Sequence, residues 1–400
     1  MIPRPQYLER LISLKDKQII KVITGIRRCG KSSLLTLFKE HLKNAKVMDD
    51  QIISINFEDM EFESLKDYRS LYEFVNSRLT KNQFYYVFLD EVQNCEHFEK
   101  AIDSLFIKDN VDLYVTGSNA YLLSGELATL LSGRYVEIEM LPLSFKEYLN
   151  SLGDKTDLER KFRDYLRFGA FPYLTNIRDS EDSINEYLDG IYHSVLIKDI
   201  ITRFKIKDVM ILESVIKFLF DNIGNMVSTK KISDTLTSEG RKVTPHTVEN
   251  YLTALKNSFI IYQCDRYDIR GKQYLKSLEK YYVVDTGLRN CIIGYKNIDS
   301  GHVLENIVFL ELMRRGFKVA VGKTQNSEID FVATNQYDTI YVQVSQTVRD
   351  PNTLERELGP LRSINDSNPK LLLTMDNDVN SSYEGIKKVN LIDFLLGERY

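Results

Sequence analysis

Four hundred residues with a formal charge of -4, 43% hydrophobic and 28% charged, are too many for one ordinary core and predict two to four folded domains. That balance excludes a globally basic nucleic-acid-coating protein, so any basic face must be local, and no run reaches the 18 continuous apolar residues that read as a membrane span. Cys29, Cys95, Cys264 and Cys291 lie far apart with no Cys-x-x-Cys pair, against a zinc ribbon or disulfide framework, and the start MIPRPQYLERL lacks a leader's apolar run, so a cytoplasmic protein is expected.

KQIIKVIT (17–24) is a β-branched run of the kind expected of a buried parallel strand. It leads into GIRRCGKS, Gly25 to Ser32, and then the helical SLLTLFKEHLKN. G-x-x-x-x-G-K-[ST] between strand and helix is a phosphate loop. The backbone of Gly25, Ile26, Arg27, Arg28, Cys29, Gly30, Lys31, Ser32 and Ser33 is expected to wrap a nucleotide's phosphates, with N–H groups and the helix N-terminus pointing inward. Lys31 would reach the β- and γ-phosphates and Ser32 would hold Mg²⁺. The Arg27-Arg28 pair either adds positive potential or faces solvent.

The apolar YYVFLDEVQ (85–93) ends in Asp90-Glu91. Asp90 fits the acid that holds Mg²⁺, and Glu91, pointing differently, the group that polarises the attacking water. DLYVTGSNA ends in Ser118 and Asn119, which either sense the γ-phosphate or cap a helix beginning near Tyr121. Arg134 opens the next strand just after a glycine. It is either an arginine finger, in cis or on a neighbouring subunit, or a surface arginine of an edge strand.

MIPRPQYLERL, GIRRCGKS, VFLDEVQ, TGSNA and LSGRYVEIEMLPLSFKEYL resemble prokaryotic AAA-family ATPases of the archaeal-ATPase type. The likeness runs on through FGAFPYL and YLDGIYHSVLIKDIITRF over nearly the whole chain. It implies an α/β P-loop AAA-type core over 1–150, ATP as the nucleotide, and a C-terminal domain of unknown function with a restriction-endonuclease-like fold. It also strengthens the reading of the helical periodicity in 151–205 as a small lid.

From Asp208 the pattern changes. VMILESVIKFLFDNIG, KKISDTLTSEG and TPHTVENYLTALKNS read as three helices, the third with Thr244 as N-cap and Pro245 in its first turn. Two strands joined by a basic hairpin follow, so 206–290 has the winged-helix layout. Lys205–Lys280 holds 13 basic and 9 acidic residues. DNA could be met by Asn250 of the third helix and by Arg266, Arg270, Lys272 and Lys276 of the wing. Alternatively the module packs on a protein partner.

Over 296–400 the order is helix, three-stranded meander, helix, strand, as in the restriction-endonuclease-like core. Glu305 and Asp330 match that core's helix and hairpin acids, but Gln343 and Ser345 stand where its second acid and lysine belong. The exchange removes a negative ligand and a catalytic cation, so metal-dependent cleavage is not expected. Glu328, on the opposite face of its strand from Ile329, is expected in solvent. The leading expectation is a Mg²⁺-dependent ATPase switch that repositions its winged helix and C-terminal domain. It would have an unidentified protein partner and form a homo-oligomer if Arg134 acts in trans. The alternatives are an ATP-controlled DNA-binding protein and, third, an ATP-gated nuclease.

Overall fold

A computed structural model describes residues 1–120, 133–154, 156–296, 300–325, 327–377 and 381–397; the helix expected from near Tyr121 lies outside them. The chain forms two compact units, Met1–Pro142 with Asn257–Phe259, and Leu143–Lys256 with Ile260–Tyr400.

The first unit runs α1 (Pro5–Leu14), β1 (Ile20–Thr24), α2 (Lys31–Asn44), β2 (Ile52–Asn56), α3 (Tyr68–Asn76), β3 (Tyr85–Asp90), α4 (Phe98–Phe106), β4 (Val111–Thr116) and β5 (Tyr135–Glu139). Its sheet has the order β2-β3-β4-β1-β5, every pair parallel. The runs IKVIT, YYVFLD and VDLYVT are buried at every position, as strands covered on both faces must be. The edge strands β2 and β5 are buried only in part. On one face Val22, Ile55, Val87, Leu89 and Val115 pack with Leu71, Val75, Ile102 and Leu105 from α3 and α4. Elsewhere in this core Phe38 of α2 and Phe88 of β3 each lie 4.9 Å from the Tyr114 ring.

The register decides where loops emerge. Ile20 pairs with Tyr135 and Thr24 with Glu139, so the phosphate loop leaves the C-terminal end of β1 while Arg134 enters at the other end. About 13 Å of strand separates them at 3.3 Å per residue.

The second unit begins with α5 (Phe145–Leu152), α6 (Leu158–Phe168), α7 (Leu174–Ile177) and α8 (Glu181–Ser194), then α9 (Val209–Asp221), α10 (Thr229–Ser238) and α11 (Pro245–Asn257). The side chains of Asp208 and Ser228 accept from Ile211 N and Lys231 N to start α9 and α10. Thr244 Oγ accepts from Thr247 N, as expected of its cap position. α12 (Thr286–Ile293) is interlocked with the end of α6. Asp285 accepts from Ala170 N at 2.6 Å and Leu288 N at 2.8 Å. A Cβ on Gly287 would lie 2.0 Å from Phe168 O, so only glycine fits there.

The hairpin β6 (Ile261–Asp268) and β7 (Gln273–Val283) corrects the sequence reading. It was expected to be the wing of a separate module, but β6 pairs in parallel with β8 (Lys318–Lys323), Arg266 opposite Val321. With α13 (Ser300–Arg314), β9 (Glu328–Thr334), β10 (Thr339–Ser345), α14 (Pro351–Arg362), β11 (Lys370–Thr374), β12 (Ser382–Tyr383), β13 (Ile386–Asn390) and α15 (Leu391–Leu396) it completes one eight-stranded mixed sheet. The order is β12-β13-β11-β10-β9-β8-β6-β7. The physical reason lies in side chains unsuited to an isolated wing. Tyr282 is fully buried and its ring stacks 4.4 Å from Phe309 of α13, and pairing β6 with β8 hides an otherwise open edge. Strands either side of the expected boundary at 290–296 therefore share a sheet.

Candidate functional site

Lys31 is the first residue of α2, and Gly30 ahead of it has φ of +106°, a conformation glycine adopts without a Cβ penalty. Gly25 (φ +138°) has a second constraint: a Cβ there would lie 2.2 Å from Met140 O. The start of α2 presents first-turn N–H groups that have no acceptor within the helix, which with the dipole makes an anion site. Ser32 and Ser33 are exposed there, while Cys29 is buried. Arg27 pairs with Glu58 at 3.1 Å, and Arg28 faces solvent.

The structure brings Lys31, Ser32, Asp90, Glu91 and Ser118 together at one end of the sheet. The Lys31 ammonium, nearly buried, donates to Gly25 O at 3.0 Å and Ile26 O at 3.3 Å, and lies 3.5 Å from Glu91 Oε1. Asp90 accepts from Thr116 Oγ and from Ser32. Burial raises the Asp90 carboxyl above its ordinary value despite those two hydrogen bonds. A buried carboxylate bonded to a hydroxyl at the phosphate loop fits a hard divalent cation, which prefers oxygen donors. Asp90 and Ser32 are the residues that would hold Mg²⁺, whose chemistry there would be neutralisation of phosphate charge.

Glu91 differs from its neighbour. Burial opposes its charge, but Lys31, then Gln93, Arg27 and Ser118, outweigh that, and the carboxyl sits below its ordinary value. It is therefore ionised near neutral pH, as a group that orients and deprotonates water must be. Its backbone is left-handed (φ +52°) and its N–H donates to Thr116 Oγ at 2.9 Å. A non-glycine residue in that region costs on the order of 1–3 kcal/mol. Gln93 Nε2 bridges Glu91 and Ser118 Oγ. Thr116 and Gln93 were missed in the sequence. Thr116 is two residues before Ser118, a spacing that offered a weak signal; Gln93 offered none.

Arg134 is not part of this cluster. Half-exposed at the far end of β5, it pairs with Asp103. The register rules out its reaching the phosphate loop of its own chain.

In the second unit, Glu305 and Asp330 do approach each other, through a residue the sequence did not single out. Lys280 of β7 lies 2.6 Å from Glu305 Oε1 and 3.8 Å from Asp330 Oδ1, all three largely buried. Tyr282, on the same strand face, donates to Glu305 as well. Asp330 Oδ2 accepts from Val344 N at 2.9 Å. Gln343 accepts from Asp330 N at 3.3 Å and donates to Glu357 at 2.9 Å. Ser345 Oγ donates to Thr347 O instead. Burial and Glu305 push the Asp330 carboxyl up. Among the described residues no three His, Cys, Asp or Glu side chains are grouped to hold a metal ion.

The basic residues expected to meet DNA divide. Arg266 is largely buried and paired with Glu328 at 3.1 Å, so Glu328 is exposed but not free. Arg270 and Lys272 are exposed at the β6–β7 turn and make no ion pair among the described residues. Asn250 is exposed on α11, its side chain 3.5 Å from His246.

Residues 17–149 match the AAA domain family and residues 159–299 a domain of unknown function, DUF8612, which spans the segments expected as lid and winged helix. An uncharacterized protein of Haemophilus influenzae is 42% identical over 400 residues, 99% of each chain. The uncharacterized protein MJ1544 of Methanocaldococcus jannaschii is 30% identical over 396 residues, 94% of this chain and 85% of its own. The Walker-type ATPase PABY2304 of Pyrococcus abyssi is 14% identical with a TM-score of 0.48, covering 73% of this chain and 96% of its own. No helix among the described residues is long and apolar enough to cross a membrane. The chain belongs to the family of the Haemophilus influenzae protein and MJ1544, with a P-loop AAA domain at residues 17–149.

Proposed function

We propose that the protein is a Mg²⁺-dependent ATPase whose nucleotide state switches the disposition of its second unit. One observation carries the reading. The Lys31 ammonium rests between loop carbonyls and an ionised Glu91, beside the Asp90–Ser32 pair. Incoming phosphates would take the ammonium from Gly25 O, Ile26 O and Glu91. Glu91, relieved of its ion pair, would then be free to orient water, with Gln93 and Ser118 fixing its direction. Arg134 can serve only a neighbouring subunit's nucleotide, so an oligomer is part of this reading if it acts at all.

The second unit is proposed as a helical module whose β6–β7 hairpin is built into the sheet of a restriction-endonuclease-like domain without cleavage activity. Supporting this, each polar group of the Lys280–Glu305–Asp330–Gln343–Glu357 cluster is already engaged by another part of the chain, leaving it a structural joint. A titration of fluorescent ATP with and without Mg²⁺ tests the nucleotide reading: saturable, Mg²⁺-strengthened binding that Lys31→Ala removes is expected. Equal binding by that variant would refute it.

A second reading, ATP-controlled DNA binding, is favoured by the unneutralised Arg270 and Lys272 at an exposed turn. Duplex binding that weakens with salt and with Arg270→Ala/Lys272→Ala would support it; no binding at low salt would end it.

A further inference from the structure

The phosphate loop contains a peptide whose orientation its glycine does not fix. Gly30 lacks a Cβ and sits at φ +106°, so the Cys29–Gly30 peptide has little local resistance to flipping. A flip would exchange the directions of Cys29 C=O and Gly30 N–H, because the two point oppositely across a planar trans peptide. The cradle needs the N–H inward.

The residue that opposes the flip is 25 positions upstream. Arg4, only 3% exposed, donates from Nη1 to Cys29 O at 3.0 Å. Its Nη2 donates to Leu141 O at 2.7 Å and to Pro142 O at 3.4 Å. The guanidinium lies 4.8 Å from the Tyr7 ring centroid, and Tyr7 Oη accepts from Leu141 N at 3.1 Å. Tyr7 and Leu11 of α1 are buried, so this helix anchors the arginine. The neighbouring Met140 carbonyl is the one against which Gly25 packs. Both ends of the loop are thus braced on the 140–142 segment, one by van der Waals contact and one through Arg4.

We propose that Arg4 is a positioning residue of the nucleotide site: it clamps the Cys29 carbonyl outward and thereby keeps the Gly30 N–H turned into the phosphate cradle. The proposal rests on residues 25–33 being a nucleotide site. A planar guanidinium grips Cys29 O and Leu141 O from two separate nitrogens, while a lysine at this position would have to reach both carbonyls from one. The positive charge also lies beside the loop, where it assists anion binding.

The test uses the full chain as wild type, Arg4→Ala, Arg4→Lys and Lys31→Ala. Fluorescent Mg²⁺-ATP is titrated and ATP turnover is measured, each protein being checked for folding by circular dichroism. Loss of a charge-assisted hydrogen bond predicts Kd and KM at least about tenfold higher for Arg4→Ala, a smaller rise for Arg4→Lys, and a much smaller change in kcat. If Arg4→Ala fails to fold, the Arg4→Lys shift alone decides. Wild-type Kd in the folded arginine variants, or a fall in kcat at unchanged KM, would overturn the clamp. Wild type that fails to bind, or Lys31→Ala that binds as well as wild type, would overturn the nucleotide reading and the clamp with it.

Discussion

Replacing Lys280 by Met isolates the second unit's buried charge cluster. The side chains of Lys280 and Glu305 are 8% and 7% exposed and that of Asp330 is 16% exposed. Methionine keeps most of the volume but removes the ammonium that the two carboxyls share, leaving Glu305 with His302 at 3.4 Å. Breaking a buried ion pair from one side costs about 3–5 kcal/mol. At about 2–4 °C per kcal/mol for a unit of this size, the midpoint of its thermal transition should drop by roughly 10 °C in a calorimetric scan at pH 7.

The loss should depend on pH in a definite direction. Without the ammonium, the Asp330 carboxyl, already raised by burial and by Glu305, loses the cation that lowers it and rises further, while Glu305 keeps His302 and Tyr282 beside it. The protonated form of Asp330 favours folding, and that contribution is lost as pH rises through its folded value. The variant should therefore come closest to wild type at acid pH. Adding Glu305→Gln to Lys280→Met removes one orphaned charge and should recover at least about 1 kcal/mol. A Lys280→Met protein within about 0.5 kcal/mol of wild type, or no recovery in the double variant, would refute the view of the cluster as a self-satisfied joint. So would Mn²⁺- or Mg²⁺-dependent DNA nicking abolished by Asp330→Ala.

Glu91→Gln should keep ATP affinity but lose about 10²–10⁴ in kcat, the range for a positioned base; unchanged turnover would move that role elsewhere. Arg134→Ala should lower kcat by about 10³ if a neighbour's nucleotide is its target, and mixing it with Lys31→Ala should restore part of the activity. Wild-type turnover would leave Arg134 as the partner of Asp103 alone. Burial pushes the Asp285 carboxyl up to about 6, so wild-type stability should fall, relative to Asp285→Asn, as pH rises from about 4 to 6, by about 3 kcal/mol. A flat difference across that window would show that Asp285 is not desolvated as the structure places it.

The phosphate loop was legible because its chemistry is local: glycine spacing, a lysine and a hydroxyl between a β-branched run and an amphipathic helix. Asp90 and Glu91 were readable as the end of an apolar strand for the same reason. What escaped depends on topology. Lys280 precedes Glu305 by 25 positions and meets it only because β7 runs beside α13. The sequence showed where the missing lysine of the Gln343–Ser345 strand was not, but gave no hint that another strand brings one to Asp330. Arg4 reaches Cys29 and Leu141 through tertiary packing alone. A cis role for Arg134 stayed open until the β1–β5 register placed it at the wrong end of the sheet. The merging of the hairpin into the C-terminal sheet was hidden because antiparallel hairpins look alike whether or not an outer edge finds a partner.

The reaction proposed for this site is cleavage of the β–γ bond of ATP. Phosphate release from ATP with Mg²⁺ should be compared for wild type, Lys31→Ala and Asp90→Ala under the same conditions. Wild type should show steady turnover that EDTA stops, and both variants should fall to background. Turnover retained by Lys31→Ala, or none by a folded wild type that binds ATP, would contradict it.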